Sequence, residues 1–109
     1  MRPRLPAART GEEVTLARHI SWQAVVQAVA THEWEGRALT GITEDSREIR
    51  PGAVFVARRG RTWDGHDFAG AAAEAGAAFV VAERPTEVPI PVCLVPSATR
   101  ALSRLAALW

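Results

Sequence analysis

Residues 44–68, EDSREIRPGAVFVARRGRTWDGHDF, hold most of the side chains in this chain that could do chemistry. Arg47, Arg50, Arg58, Arg59 and Arg61 fall within fifteen residues that contain one acid, Glu48. Guanidinium forks suit phosphate oxygens, so the cluster reads either as an anion site or as a solvated basic face. Ser46, between Asp45 and Arg47, could bond a ribose or a base, or cap a local turn. No Gly-x-Ser-x-Gly elbow surrounds it, so a nucleophilic role lacks support. Asp64-Gly65-His66-Asp67 has the residue types of a metal or proton-transfer site. The plainer description is a turn at Asp64-Gly65 and a helix cap at Asp67, with Gly65 permitting a close backbone approach. Trp63, near Gly60 and Gly65, could stack on a ring or fill the core edge. Together these residues point to an anionic small-molecule site and specify nothing narrower.

Composition removes several classes. All thirteen basic residues are arginine, and there is no lysine. The chain therefore cannot supply a P-loop lysine or a Schiff-base amine. Cys93 is the single cysteine, so no intrachain disulfide forms, and its place in PVCLVP marks it as a small core residue. His19, His32 and His66 are far apart and lack partners at zinc-ligand spacing. No apolar run approaches the roughly 20 residues of a membrane span. The arginine-containing start has no apolar stretch of a secretory signal. A soluble, cytoplasmic domain with no membrane partner is expected. A net charge of +1 and a single aromatic, Trp63, in the basic stretch argue against a nucleic-acid partner.

These residues must be held by ordered elements, and 109 residues suffice for one domain. Residues 1–18 show no periodicity and read as a flexible extension or lead-in strand; 19–109 read as the domain. Trp22, Val25, Val26 and Val29 form a helical stripe behind the N-cap Ser21, and residues 31–36 end that helix. RALTGIT reads as a strand. Pro51-Gly52 is a turn with φ > 0 at Gly52. AVFVA, AAFVVAE and VCLV are continuous apolar runs, the mark of strands buried on both faces. Asp67 caps a helix FAGAAAEA that Gly76 closes, and Ser97 caps a last helix, ATRALSRLAAL. Strands alternating with helices predict the α/β class: a three-layer α/β/α domain on a mostly parallel or mixed central sheet. The last helix runs to Trp109, which suggests a partner surface or a continuation.

The order T-x-DSR-x-I-x-PG-x-V-FVA, then WDGHDF and GA-x-FVV, resembles the N-terminal domain of the bacterial Mur ligases, over roughly residues 20–109. Those enzymes build the peptidoglycan stem peptide. The tail PVCLVPSATRALSRLAALW resembles the branch that makes UDP-N-acetylmuramoyl-tripeptide, although the sister branch adding D-Ala-D-Ala shares DSR, PG, FVA and DGHDF. The resemblance implies a domain that holds the UDP end of UDP-MurNAc-L-Ala-D-Glu. ATP, magnesium and the catalytic lysines would belong to a central ATPase domain, and the incoming amino acid to a C-terminal domain. Neither domain lies in this chain, so no catalytic residue, metal or cofactor of its own is expected. By position, the Ser46 hydroxyl contacts the nucleotide, Glu44 touches the uracil end mainly through its backbone, and Arg61, Thr62 and Trp63 close over the UDP. Asp45 and Arg47 hold their loop in shape, Gly60 supports the closing segment, and Gly65 and His66 shape a helix start. Ala53 stands where many relatives have aspartate, and Arg58 and Arg59 replace a more apolar strand end. A basic nucleic-acid module and a stand-alone interaction domain built on the Trp109 helix are the readings outside this class.

Overall fold

A computed structural model describes residues 18–109; the extension expected over 1–18 lies almost wholly outside them. The Ser21 hydroxyl accepts the Ala24 N–H at 3.0 Å and starts helix α1, Trp22–Thr31. The side chains α1 buries are Val25, Ala28 and Val29; Val26 sits on the shoulder of the stripe and Ala28 takes its place. His32 ends the helix in the left-handed region at φ 59°.

Two short strands follow, β1 (Glu33–Trp34) and β2 (Arg37–Ala38), paired antiparallel across Glu35 and Gly36. Both turn residues have positive φ, 50° and 81°, as a tight hairpin of right-handed twist requires. RALTGIT is thus split: its first residues belong to this hairpin, and Gly41–Thr43 form β3 of the main sheet.

That sheet has the order β3-β4-β5-β6, with β4 Ala53–Val56, β5 Phe79–Ala82 and β6 Val92–Leu94, all parallel. Beyond β6, His19 adds a parallel bridge to Val92. The mixed arrangement is not used in this sheet; the antiparallel pair stays outside it. Strands β4 and β5 are buried on both faces because helices cover both. Val54, Val56, Phe79, Val81 and Cys93 meet α1 and helix α3 (Ala98–Leu108) on one side. Phe55, Ala57, Val80, Ala82 and Val92 meet helix α2 (Ala69–Glu74) on the other. Phe55, Phe79 and Leu105 are fully buried, each burial contributing about 1.5–3 kcal/mol. The domain is three-layered α/β/α.

Three connections matter for the site. The Ala53 N–H bonds the Arg50 carbonyl across Pro51-Gly52, and Gly52 has φ 92°, so this is a type II turn in which glycine is required. Gly76 closes α2 with φ 100°. Asp67 does not cap α2. Asp64 caps instead, accepting the His66 N–H at 3.0 Å and opening a 3-10 turn, Gly65–Phe68, that runs into α2. Ser97 caps α3 as expected, accepting the Arg100 N–H at 3.1 Å.

Candidate functional site

Parallel strands deliver their carboxyl ends, and the loops that follow them, to one edge of the sheet. Here the loops after β3 and β4 border a cleft of about 750 Å³, within the size range of small-molecule sites. Its polar lining is Thr43, Glu44, Asp45, Ser46, Arg47, Glu48 and Arg58. Its apolar lining is Ile42 from β3, Trp63 from the β4 loop, Phe68 from the 3-10 turn and Leu102 from α3.

The first loop is shaped by its own short polar side chains. The Thr43 hydroxyl accepts the Asp45 N–H at 3.0 Å, and Asp45 caps a 3-10 turn over Ser46–Glu48. Asp45 Oδ1 accepts both the backbone N–H of Arg47 (2.9 Å) and its Nε (3.0 Å), while Oδ2 accepts Nη2 at 2.8 Å. This fork, and then the backbone bond, hold the Asp45 carboxyl down at about 2. Asp45 and Arg47 are thus bonded to each other within this loop. Ser46 differs. Among the described residues its hydroxyl takes no hydrogen-bond partner, and it lies on the cleft lining.

The second loop is a narrow hairpin. Gly65 N–H bonds the Arg58 carbonyl at 2.9 Å, Asp64 bridges Arg59, and Gly60 N–H bonds the Trp63 carbonyl at 2.8 Å. A Cβ on Gly65 would lie 2.7 Å from both the N and O of Arg58, so only glycine admits this approach. The Trp63 ring stands over Gly60, where an added Cβ would be 2.7 Å from the indole. Arg61 and Thr62 form the exposed tip and are not part of the lining; of that trio only Trp63 is.

The five arginines are not gathered into one basic face. Arg47 is taken by Asp45. Arg58 donates Nε to Glu44 Oε1 at 2.6 Å, linking the two loops. Arg59 and Arg61 are exposed on the hairpin, and Arg50 sits at the opposite end of β4, before the Pro51 turn. The lining carries three acids against two arginines.

The Asp64-Gly65-His66-Asp67 run is structural. His66 is 8% exposed. Its Nε2 accepts the Glu83 N–H at 2.9 Å, which places the ring proton on Nδ1, donated to Asp64 Oδ1 at 2.7 Å. Arg84 donates to Asp64 Oδ2 at 2.7 Å. Arg84 first, then His66, hold the Asp64 carboxyl well below the ordinary carboxylate range. Glu83 in turn accepts the Ala98 N–H at 2.7 Å, tying the end of β5 to the start of α3. Among the described residues no three His, Cys, Asp or Glu are grouped to hold a metal. With no lysine in the chain, its residues do not fit the phosphate-gripping site of an ATPase. No helix of the described residues is long and apolar enough to cross a membrane.

Sequence reasoning missed Ile42, Thr43, Glu48, Phe68 and Leu102 as lining residues. Phe68 lay in plain view in DGHDF, but an aromatic at a helix start gives no sign of facing a ligand. Leu102 comes from α3, far along the chain, and only the fold brings it here.

Fold and cleft define a small parallel α/β domain with a cleft at the carboxyl edge of its first two sheet strands. Comparison with known proteins narrows this. The family model described as "Mur ligase family, catalytic domain" matches residues 38–108, and the chain belongs to the Mur ligase family. A UDP-N-acetylmuramoyl-L-alanyl-D-glutamate–2,6-diaminopimelate ligase from Bacillus velezensis is 54% identical over 67 residues, 62% of this chain and 14% of that protein. The ligase of the same name from Lactiplantibacillus plantarum is 41% identical over 81 residues, 74% of this chain and 16% of that protein. Among solved structures, the MurF ligase from Thermotoga maritima in complex with ADP superposes with TM-score 0.56 at 42% identity, covering 60% of this chain and 15% of that one. MurF from Acinetobacter baumannii gives TM-score 0.65 at 25% identity over 87% of this chain and 22% of that one. The chain thus spans about one-seventh of the length of the relatives it matches.

Proposed function

We propose that residues 19–109 are the N-terminal, UDP-holding domain of a cytoplasmic UDP-N-acetylmuramoyl-tripeptide synthetase, binding UDP-MurNAc-L-Ala-D-Glu for peptidoglycan synthesis. The observation that carries this is the Ser46 hydroxyl, without a hydrogen-bond partner among the described residues, on a cleft whose walls include Trp63 and Phe68. A hydroxyl beside exposed aromatics suits a nucleoside, with a polar edge to bond and a ring to cover. Ser46 bonds the nucleotide, the backbone at Glu44 lies along the uracil end, and Arg61, Thr62 and Trp63 close over the UDP, with Asp45, Arg47, Gly60 and Gly65 shaping the two loops. ATP and magnesium act on a central domain outside these residues, which supplies the lysine this chain lacks, and a C-terminal domain brings the amino acid. The domain by itself binds and does not catalyse.

A titration of the ¹⁵N-labelled chain with UDP and with UDP-MurNAc-dipeptide tests this. Amide shifts are expected at Ser46 and Arg61–Trp63, and Ser46→Ala should weaken binding roughly tenfold with the spectrum otherwise intact. No shift at millimolar ligand would refute binding by this domain alone. A second reading, the sister ligase that adds D-Ala-D-Ala, is favoured by the MurF structures among the matches. Which UDP-MurNAc-peptide the full-length enzyme extends decides between the two.

A further inference from the structure

The cleft holds two guanidinium groups in different states. Arg47 gives Nε and Nη2 side-on to the two oxygens of Asp45, a partner two residues away in the same loop, and its side chain is 87% exposed. Arg58 is engaged only through Nε, to Glu44 Oε1 at 2.6 Å. Its Nη1 and Nη2 have no hydrogen-bond partner among the described residues. A guanidinium has two forks: a side-on one, Nε with an Nη, and an end-on one, Nη1 with Nη2. The single bond to Glu44 fixes the plane of the group and leaves the end-on fork open. Both side chains are about one-third exposed, 33% for Arg58 and 35% for Glu44, so the fork is accessible but the pair is not loose. Arg58 also lies where β4 ends, and its backbone is gripped by Gly65. Its stem is therefore anchored at the base of the hairpin that carries Trp63.

We propose that Arg58 is the anion-binding residue of this cleft, its end-on fork taking the diphosphate of the nucleotide, and that Glu44 is a positioning residue that aims it. This rests on the nucleotide reading of the cleft and specifies which charge meets the phosphates. It also addresses two of the three acids of the cleft: Asp45 is paired with Arg47, and Glu44 directs Arg58 instead of consuming it.

The test compares uridine with UDP on the 109-residue chain, by amide shifts and calorimetry. Uridine lacks the phosphates and so reports on the rest of the cleft and on the fold. Arg58→Gln should weaken UDP roughly tenfold, as expected for losing a charged hydrogen-bonding partner, and leave uridine unchanged. Glu44→Gln keeps an oxygen acceptor for Nε and removes one negative charge, so UDP should bind as tightly or more tightly. Glu44→Ala frees the guanidinium to swing and should lower UDP affinity by a larger factor than uridine affinity. Equal losses for uridine and UDP in Arg58→Gln would show a merely structural arginine and overturn the proposal. So would an unchanged ratio of the two affinities. If the unsubstituted chain binds neither ligand, the nucleotide reading itself fails; if it binds both and the ratio ignores Arg58, only this proposal falls.

Discussion

The imidazole of His66 accepts the backbone N–H of Glu83 at 2.9 Å while bonding Asp64 at 2.7 Å, and so joins the loop after β4 to the end of β5. A buried histidine used this way links two segments, Nε2 accepting from one and Nδ1 bonding the other. His66→Ala leaves the Glu83 N–H without a partner and removes one of Asp64's bonds. A loss of about 2–3 kcal/mol is expected, a fall of roughly 10 °C or more in Tm for a domain this size. Urea unfolding of the two proteins measures it.

Two glycines in the β4 loop should respond oppositely to one methyl group. Gly65→Ala drives a Cβ onto the Arg58 backbone, N and O, which cannot yield without moving β4. A cost of about 1–3 kcal/mol is expected. Gly60→Ala meets only the Trp63 indole, which is 41% exposed and free to turn away. Stability should change little there, while Trp63 fluorescence shifts and ligand binding weakens. Comparable unfolding midpoints for both variants would contradict this placement of the loop.

Two carboxylates set the acid limit. Asp45 and Asp64 are both held below their ordinary value, Asp45 at about 2, by Arg47 and by Arg84 with His66. A depressed carboxylate stabilises the fold above its unfolded pKa of about 4, and that stability is lost as pH falls through the lower folded value. Unfolding free energy should therefore hold level near neutrality and fall between about pH 4 and 2. In Asp64→Asn the acid slope should be shallower than in the unsubstituted chain; identical slopes would show that the pairing does not operate in solution.

Cys93 is 1% exposed, and burial pushes its thiol above the ordinary value. Thiolate is the reactive form. A thiol reagent at neutral pH should leave the folded chain unlabelled and modify it fully in denaturant. Rapid labelling under native conditions would place Cys93 outside the core.

Much of the fold was legible because it is written locally. AVFVA and FVVA are apolar at every position, which only a strand covered on both faces tolerates, and both became central strands. Ser21 and Ser97 precede periodic stretches and cap them through their hydroxyls. Pro51-Gly52 turns as its backbone preferences dictate. The hairpin at Glu33–Ala38 escaped notice because Glu-Gly lacks the Asn-Gly or Asp-Gly signature, although Gly36 does take the positive φ the turn demands. The sequence points to Asp67 as the cap; Asp64 caps instead, held in place by His66 and by Arg84, twenty residues on.

The sequence by itself determined the layers and the Pro51-Gly52 turn, since each follows from side-chain size, periodicity or backbone preference over a few residues. Which charges line the cleft was decided only by the tertiary structure. Five arginines of one type became one paired with Asp45, one bonded to Glu44 fourteen residues away, two on an exposed hairpin and one at the far end of a strand. A guanidinium's role depends on which acids lie within hydrogen-bond reach in space, and that proximity is created by the parallel pairing of β3 with β4 and by the packing of α3 beside them.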